Sequence, residues 1–400
     1  MRYLLYSHDA LGLGHVRRNL AIAGALVAAD PEASVLIATG SEHVHELGVP
    51  PRVDVLGLPA LRKLGNQQYA ARRLPLSGRE IRNLRAAVLR AAVQVYRPQV
   101  LLADKHPLGA RGELRDALHA VRAQGGRAAL GVRDILDESA AVRADWASDV
   151  GLDTMESFYD RILIYGQSSI FDPVREYQMS PALAERTRFC GYVTRGQWGH
   201  GRITAAPRRR GDRPVVLATR GGGEDGFVML EAFVLAALRA DWDAVLVSGP
   251  QADKSDCDTL QAMAGRNRLR VHGFVRDLSA WFPSVDALVT MGGYNTLVEA
   301  LAAGTPTVCV PRVKPRQEQL IRARAFARLG LVRVIDPSRL SSTVLGEEVT
   351  AALRTCRSTM NQRVRDVIDL NGARNAAAHL VELAHTAGPV AAAGHARFRP

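Results

Sequence analysis

The chain alternates short apolar runs with longer amphipathic stretches. YLLY (3–6), SVLIATG (34–40), VDVLGLP (53–59), QVLLAD (99–104), RAALGVRD (127–134) and RILIYG (161–166) are β-branched or Leu-rich and end near a polar residue or a glycine. They read as strands. Helical periodicity lies between several of them, over 19–27, 79–96 and 111–124. Runs without polar alternation belong to strands buried on both faces, so the pattern predicts a parallel sheet covered by helices. From about 194 to 213 the periodicity stops in a Gly-, Arg- and Pro-rich stretch that reads as a linker. It resumes with PVVLATRGGG (214–223), a helical stretch over 224–240, then DAVLVSG (243–249), LRVHGF (269–274), DALVTMGG (286–293) and PTVCVP (306–311). Residues 361–385 read as a last helical stretch. The expected organisation is an α/β domain over 1–195, a linker over 196–213 that serves as a hinge, and a second α/β domain over 214–365. A C-terminal helix (366–386), free to cross back to the first domain, and a disordered tail (387–400) follow.

Length agrees with two domains, since 400 residues exceed the usual size of one core. The net charge of +12 favours anionic partners such as phosphates or acidic lipids. Nearly all of it is arginine, with lysine only at Lys63, Lys105, Lys254 and Lys314, and no basic block is interleaved with aromatics. A nucleic-acid partner is therefore not expected. Cys190, Cys257, Cys309 and Cys356 are far apart, which argues against a disulfide or zinc framework and fits a reducing cytoplasm. No signal peptide is visible and no run of about 18 apolar residues exists to span a membrane. Peripheral attachment to an anionic membrane, at its inner face, stays open.

The candidate chemistry lies after strands. TMGGYNTLVEALAAG places Gly292 and Gly293 between an apolar run and a helix that Asn295 or Thr296 can cap. Glycine allows close backbone approach to a ligand, and free N–H groups at a helix start attract phosphate. Glu299 falls in the first turns of that helix, where a carboxylate can accept from two adjacent ribose hydroxyls. A capped helix with a solvated glutamate explains the same residues. A second turn, ATRGGGEDG, offers Arg220, Gly222 and Gly223 to a diphosphate. Further on, Glu318 and Gln319 stand at the start of a helix, and their adjacent acceptor and amide suit a polyhydroxylated sugar. A D-W-D at 241–243 and two histidines in EHVHEL (42–47) do not have the context of a metal site, and no metal is expected.

Taken together, residues 215–335 resemble the donor-binding domain of GT-B glycosyltransferases, and are similar to the family 28 group that contains the bacterial lipid I N-acetylglucosaminyl transferase. The shared pattern is a glycine pair after a strand, a downstream Glu, Gly-x-Pro, Val-Pro, then an acidic-or-Gln/Gln pair before a helix. The resemblance implies two Rossmann-like, doubly wound domains facing a cleft. It implies a nucleoside-diphosphate sugar as co-substrate, most often a UDP-sugar, and no other cofactor. It gives Glu299 to the ribose, Glu318 and Gln319 to sugar hydroxyls, and Gly222, Gly223, Gly292, Gly293, Asn295 and Thr296 to the diphosphate side. The base is expected against the backbone near Val275.

The opening SHDALGLGHVRR can then be interpreted. Relatives carry a Gly-rich loop with a histidine after the first strand of the acceptor domain, and Gly12, Gly14 and His15 match that position. The resemblance makes His15 the base that takes a proton from a hydroxyl acceptor, a role suited to imidazole near neutrality. Asp104, at the end of another strand, is expected to orient it. Arg17, Arg18 and Arg133 are candidates for the acceptor, which is a lipid-linked intermediate or a secondary metabolite. The implied activity is inverting, metal-independent hexosyl transfer. Rival readings are a nucleotide-sugar 2-epimerase and a non-catalytic binder of nucleotide sugars or lipid phosphates.

Overall fold

The computed structural model describes all residues except 8–12, 66–67, 148–150, 195–205, 208–210, 223–224, 266–268 and 389–400. Most of the expected linker and tail thus lies outside the described residues. The first half contains β1 (Arg2–Tyr6), β2 (Ser34–Thr39), β3 (Val53–Gly57), β4 (Leu61–Gly65), β5 (Gln68–Ala71), β6 (Val100–Asp104), β7 (Arg127–Arg133), β8 (Arg161–Tyr165) and β9 (Thr187–Phe189). The second half contains β10 (Val215–Thr219), β11 (Asp243–Val247), β12 (Leu269–His272), β13 (Ala287–Thr290), β14 (Thr307–Cys309) and β15 (Arg333–Val334). Each long apolar run of the sequence is a strand. The hairpin β4–β5 and the short strands β9 and β15 are additions that the apolar pattern does not announce.

The strands form two sheets, ordered β3-β2-β1-β6-β7-β8-β9 and β12-β11-β10-β13-β14-β15, with β4 and β5 paired apart from them. Pairing within both large sheets is parallel. Each parallel step needs a crossover, and helices supply it on both faces. The order reverses between β1 and β6 in one sheet and between β10 and β13 in the other. Where it reverses, successive connections leave to opposite faces and open a crevice at the carboxyl ends of the strands. These two crevices hold the residues singled out above.

The cores follow from the apolar runs. Every residue of β6 and β10 is buried, and each large aliphatic side chain so covered contributes about 1.5–3 kcal/mol. One apolar cluster joins the two lobes, running from Val16 and Leu20 through Tyr192 to Tyr294 and Phe326. The chain end differs from the single expected helix. It forms helices Arg357–Val367 and Gly372–His385, interrupted where Ile368 turns extended. In the interruption, Tyr192 N–H donates to the Asp369 carbonyl, and Gly372 N–H donates to the Tyr192 carbonyl. A Cβ on Gly372 would lie 2.5 Å from the Tyr192 backbone, so only glycine lets the chain pass this close. The last helix then packs on the helix Gly14–Ala29 and on β6, β7 and β8 of the first sheet. No helix among the described residues is long and apolar enough to cross a membrane.

Candidate functional site

At the first crevice, the helix begins at Gly14, so His15 lies in its first turn rather than in the preceding loop. Asp104 ends β6, the neighbour of β1 across the reversal. His15 Nδ1 is 2.9 Å from Asp104 Oδ2, and the side chains are 14% and 0% exposed. An ionised carboxylate only accepts, so a hydrogen bond to Asp104 puts the proton on Nδ1 and leaves Nε2 with its lone pair; Arg18 Nη2, itself a donor, lies 3.0 Å from the same Nδ1 and competes for it. Arg18, also on the first helix, donates from Nη2 to both Asp104 oxygens at 2.9 and 2.8 Å. Burial alone would raise the Asp104 carboxyl, but Arg18 and His15 outweigh it and hold it at about 2. Burial draws the His15 imidazolium down to about 4; Asp104 opposes this, while Arg18 and Lys105 add to it. The imidazole is therefore neutral at physiological pH.

At the second crevice, the two glycine turns come together. Gly221 has φ of +78° and Gly292 has φ of +87°, conformations that side chains with a Cβ rarely adopt. A Cβ on Gly221 would lie 3.7 Å from the Thr296 hydroxyl, which puts the end of β10 beside the start of the helix Tyr294–Ala302. The expected Asn295 or Thr296 cap is absent. Gly293 occupies the cap position with no side-chain bond, because Asn295 is turned elsewhere: its Nδ2 donates to the Gly14 carbonyl at 3.1 Å, across the lobes. Glu299 lies on the same helix, with Arg17 Nη1 at 3.9 Å. Gln319 lies next to Gly292, and its Oε1 accepts from the Arg312 backbone N–H at 3.2 Å. Glu318 is buried, with Oε1 accepting from Arg312 at 2.7 Å and Oε2 unpartnered. Val275 is buried against Trp281 and Phe282.

The crevices face one another, held by contacts that the sequence reading does not anticipate. Arg322, on the helix Glu318–Arg328, forms a two-pronged pair with Asp134 just beyond β7, at 2.8 and 2.7 Å, both side chains 1% exposed. The same guanidinium donates to the carbonyls of Ile135 at 3.2 Å and of Gly292 at 3.3 Å. Arg17 donates to the Arg276 carbonyl at 2.9 Å, and Gln317 N–H donates to Asp137 at 2.7 Å. The Tyr294 hydroxyl accepts from Val193 N–H at 3.0 Å. The signal available for Arg322 was a charge within a buried helix face, between Leu320 and Ala323 and Phe326. Asp134 offered none beyond its place at a strand end.

Of the expected residues, His15, Asp104 and Gly14 converge at one crevice. Gly222, Gly292, Gly293, Thr296, Glu299 and Gln319 lie around the other, with Asn295 and Arg17 bridging them. Three expectations meet a different environment. Arg18, read as an acceptor contact, is buried against Asp104, because a carboxylate at a strand end needs a counter-charge. Arg220, read as a diphosphate partner, has a side chain only 1% exposed, donating to the Ser248 carbonyl at 2.7 Å and paired with Asp256 at 3.5 Å. Glu318 is likewise engaged by Arg312. Arg133 ends β7, its Nε buried without a hydrogen-bond partner among the described residues. Gly12 and Gly223 lie outside the described residues.

Comparison with known proteins bears on the fold and on the second lobe. Residues 222–380 match the model of the glycosyltransferase family 28 C-terminal domain. A curated relative from Salmonella arizonae, UDP-N-acetylglucosamine--N-acetylmuramyl-(pentapeptide) pyrophosphoryl-undecaprenol N-acetylglucosamine transferase, is 25% identical over 178 residues, 44% of this chain and 50% of the relative. The chain thus spans about half the length of that relative. Among solved structures, the glycotransferase of kitacinnamycin superposes with a TM-score of 0.64 at 19% identity, over 96% of this chain and 98% of the other. Acinetobacter baumannii MurG superposes with a TM-score of 0.55 at 15% identity, over 96% and 98%. The chain has the GT-B fold, and its residues 222–380 are similar to the glycosyltransferase family 28 C-terminal domain.

Proposed function

We propose that this protein is an inverting, metal-independent glycosyltransferase that moves a hexose from a nucleoside-diphosphate sugar, UDP-linked as in the name of the curated relative, to a hydroxyl acceptor. The diphosphate sits against the turns at Gly221–Gly222 and Gly292–Gly293, where backbone N–H groups at the uncapped start of the helix Tyr294–Ala302 oppose negative charge. Glu299 takes the ribose hydroxyls, and Gln319 with Glu318 takes the sugar. The acceptor enters from the lobe that carries His15. Nε2 of His15 removes the hydroxyl proton as the oxygen bonds to the anomeric carbon, and the bond from that carbon to the diphosphate oxygen breaks with inversion. Asp104 keeps the ring in the tautomer this needs. Preorganised amides count most where charge develops, here on the leaving diphosphate.

The observation that carries this reading is the 2.9 Å contact between His15 and Asp104 at the crevice facing the family 28 domain. The test is a panel of UDP-, dTDP- and GDP-sugars, first for binding and then for transfer. The His15→Ala variant is expected to keep donor affinity and lose transfer by a factor on the order of 10²–10⁴. Transfer at the wild-type rate by that variant would remove the base. Isomerised sugar formed from donor alone would point to a 2-epimerase, and donor binding without turnover on any acceptor would point to a non-catalytic binder.

A further inference from the structure

Two helix starts meet across the cleft. On the helix Gly14–Ala29, Gly14 and Arg17 lie one turn apart, and on the helix Tyr294–Ala302 so do Asn295 and Glu299. Residues three or four apart share a helix face. These two faces touch: Asn295 Nδ2 donates to the Gly14 carbonyl at 3.1 Å, and Arg17 Nη1 lies 3.9 Å from Glu299 Oε2. The other arm of the guanidinium, Nη2, donates to the Arg276 carbonyl at 2.9 Å. Arg276 follows Val275 in the stretch after β12. One side chain of the first lobe thus spans the two parts of the second lobe assigned to the nucleoside: the backbone near its base and the carboxylate at its ribose.

The separation at Glu299 is the second observation. Elsewhere in the cleft, arginine and carboxylate are in direct contact, at 2.7 Å for Arg322 and Asp134 and 2.8 Å for Arg18 and Asp104. At 3.9 Å, Arg17 and Glu299 are too far apart for a direct hydrogen bond. That span suits one hydroxyl oxygen about 2.8 Å from each, donating to the carboxylate and accepting from the guanidinium. Both side chains are mostly covered, at 19% and 11% exposed, so water screens such a bridge less than it would at the surface.

We infer that Arg17 is a donor-site residue supplied by the first lobe, which holds a ribose hydroxyl jointly with Glu299, so that the nucleoside is read from both sides of the cleft. The inference rests on the proposed place of Glu299 at the ribose. It moves Arg17 from the acceptor to the donor and ties the nucleoside to the helix whose first turn carries His15. A nucleotide that lacks the bridging hydroxyl forfeits two charge-assisted hydrogen bonds at once. A planar guanidinium can hold the Arg276 carbonyl and the hydroxyl together, whereas a lysine offers only a point charge.

The experiment titrates UDP, 2′-deoxy-UDP and 3′-deoxy-UDP calorimetrically into the full chain, as wild type, Arg17→Met, Arg17→Lys and Glu299→Gln. In the wild type, removing the bridging hydroxyl is expected to weaken binding by about 10-fold or more. Arg17→Met should weaken UDP while leaving the affinity for that deoxy analogue within about 2-fold, so that the discrimination shrinks. Arg17→Lys keeps the charge without the planar fork and should fall between the two. A loss by one common factor for all three nucleotides in Arg17→Met marks a structural role and overturns the inference. So does wild-type discrimination that survives in Arg17→Met; if it is lost in Glu299→Gln alone, the ribose belongs to Glu299 without Arg17. Equal binding of all three nucleotides by the wild type removes the ribose assignment of Glu299, and absence of UDP binding removes the donor reading; either result takes this inference with it.

Discussion

The imidazolium of His15 is drawn down to about 4 because burial outweighs the pull of Asp104. A general base works in its neutral form, so activity rises as pH rises through that value and is lost below it. A plot of kcat/KM against pH is expected to stay flat through neutrality and to fall near pH 4, about tenfold per unit, rather than near the ordinary imidazole value of about 6.5. An inflection at the ordinary value would mean that the histidine is more solvated than this geometry allows. Asp104 acts in the same direction on stability. Its folded value of about 2 is depressed, so its contribution is present above the unfolded carboxylate value and is lost as pH falls toward 2. Protonation of the base and loss of its orienting carboxylate thus occur in adjoining pH ranges.

The elements deliver these residues through their ends. The helix Gly14–Ala29 starts close to the other lobe because Gly14 has no side chain: a Cβ there would lie 3.0 Å from Asn295 Nδ2. At the opposite turn, Gly292 combines φ of +87° with a position where a Cβ would sit 2.8 Å from Cys309 Sγ. Gly292→Ala is therefore expected to destabilise the protein by about 1–3 kcal/mol. It should also weaken nucleotide binding more than a surface Gly→Ala change. Denaturant unfolding and UDP titration of the variant check both. Wild-type stability with wild-type affinity would show that the turn tolerates a side chain and does not need close backbone approach.

For the whole molecule, the lobes are joined by a shared apolar cluster and by the buried Arg322–Asp134 pair. Because Arg322 also donates to the Gly292 carbonyl, the first lobe helps to set the backbone of the turn assigned to the diphosphate. Opening the cleft would separate Arg322 from its counter-charge Asp134. Arg322→Met should cost about 3–5 kcal/mol, since it strands the Asp134 carboxylate, whereas Arg322→Met with Asp134→Asn should recover much of that loss. Urea unfolding of the two single variants and the double variant measures the coupling. Additive losses would mean that the pair contributes only independent contacts.

Sequence by itself determined the two parallel sheets, the break between them and the glycine turns, because burial on both faces writes continuous apolar runs and positive φ demands glycine. His15 and Asp104 were legible as candidates since one closes the Gly-rich stretch after the first strand and the other ends a strand. Tertiary structure alone decided the pairing of charges. Arg18, Arg220 and Arg322 are the same residue type in the sequence, yet one clamps Asp104, one turns inward to Ser248 and one ties the lobes together. A guanidinium's role depends on which carboxylate lies within about 4 Å, and those neighbours are 36 to 188 positions away along the chain. Local patterning carries no information about such partners, so only the folded arrangement assigns them.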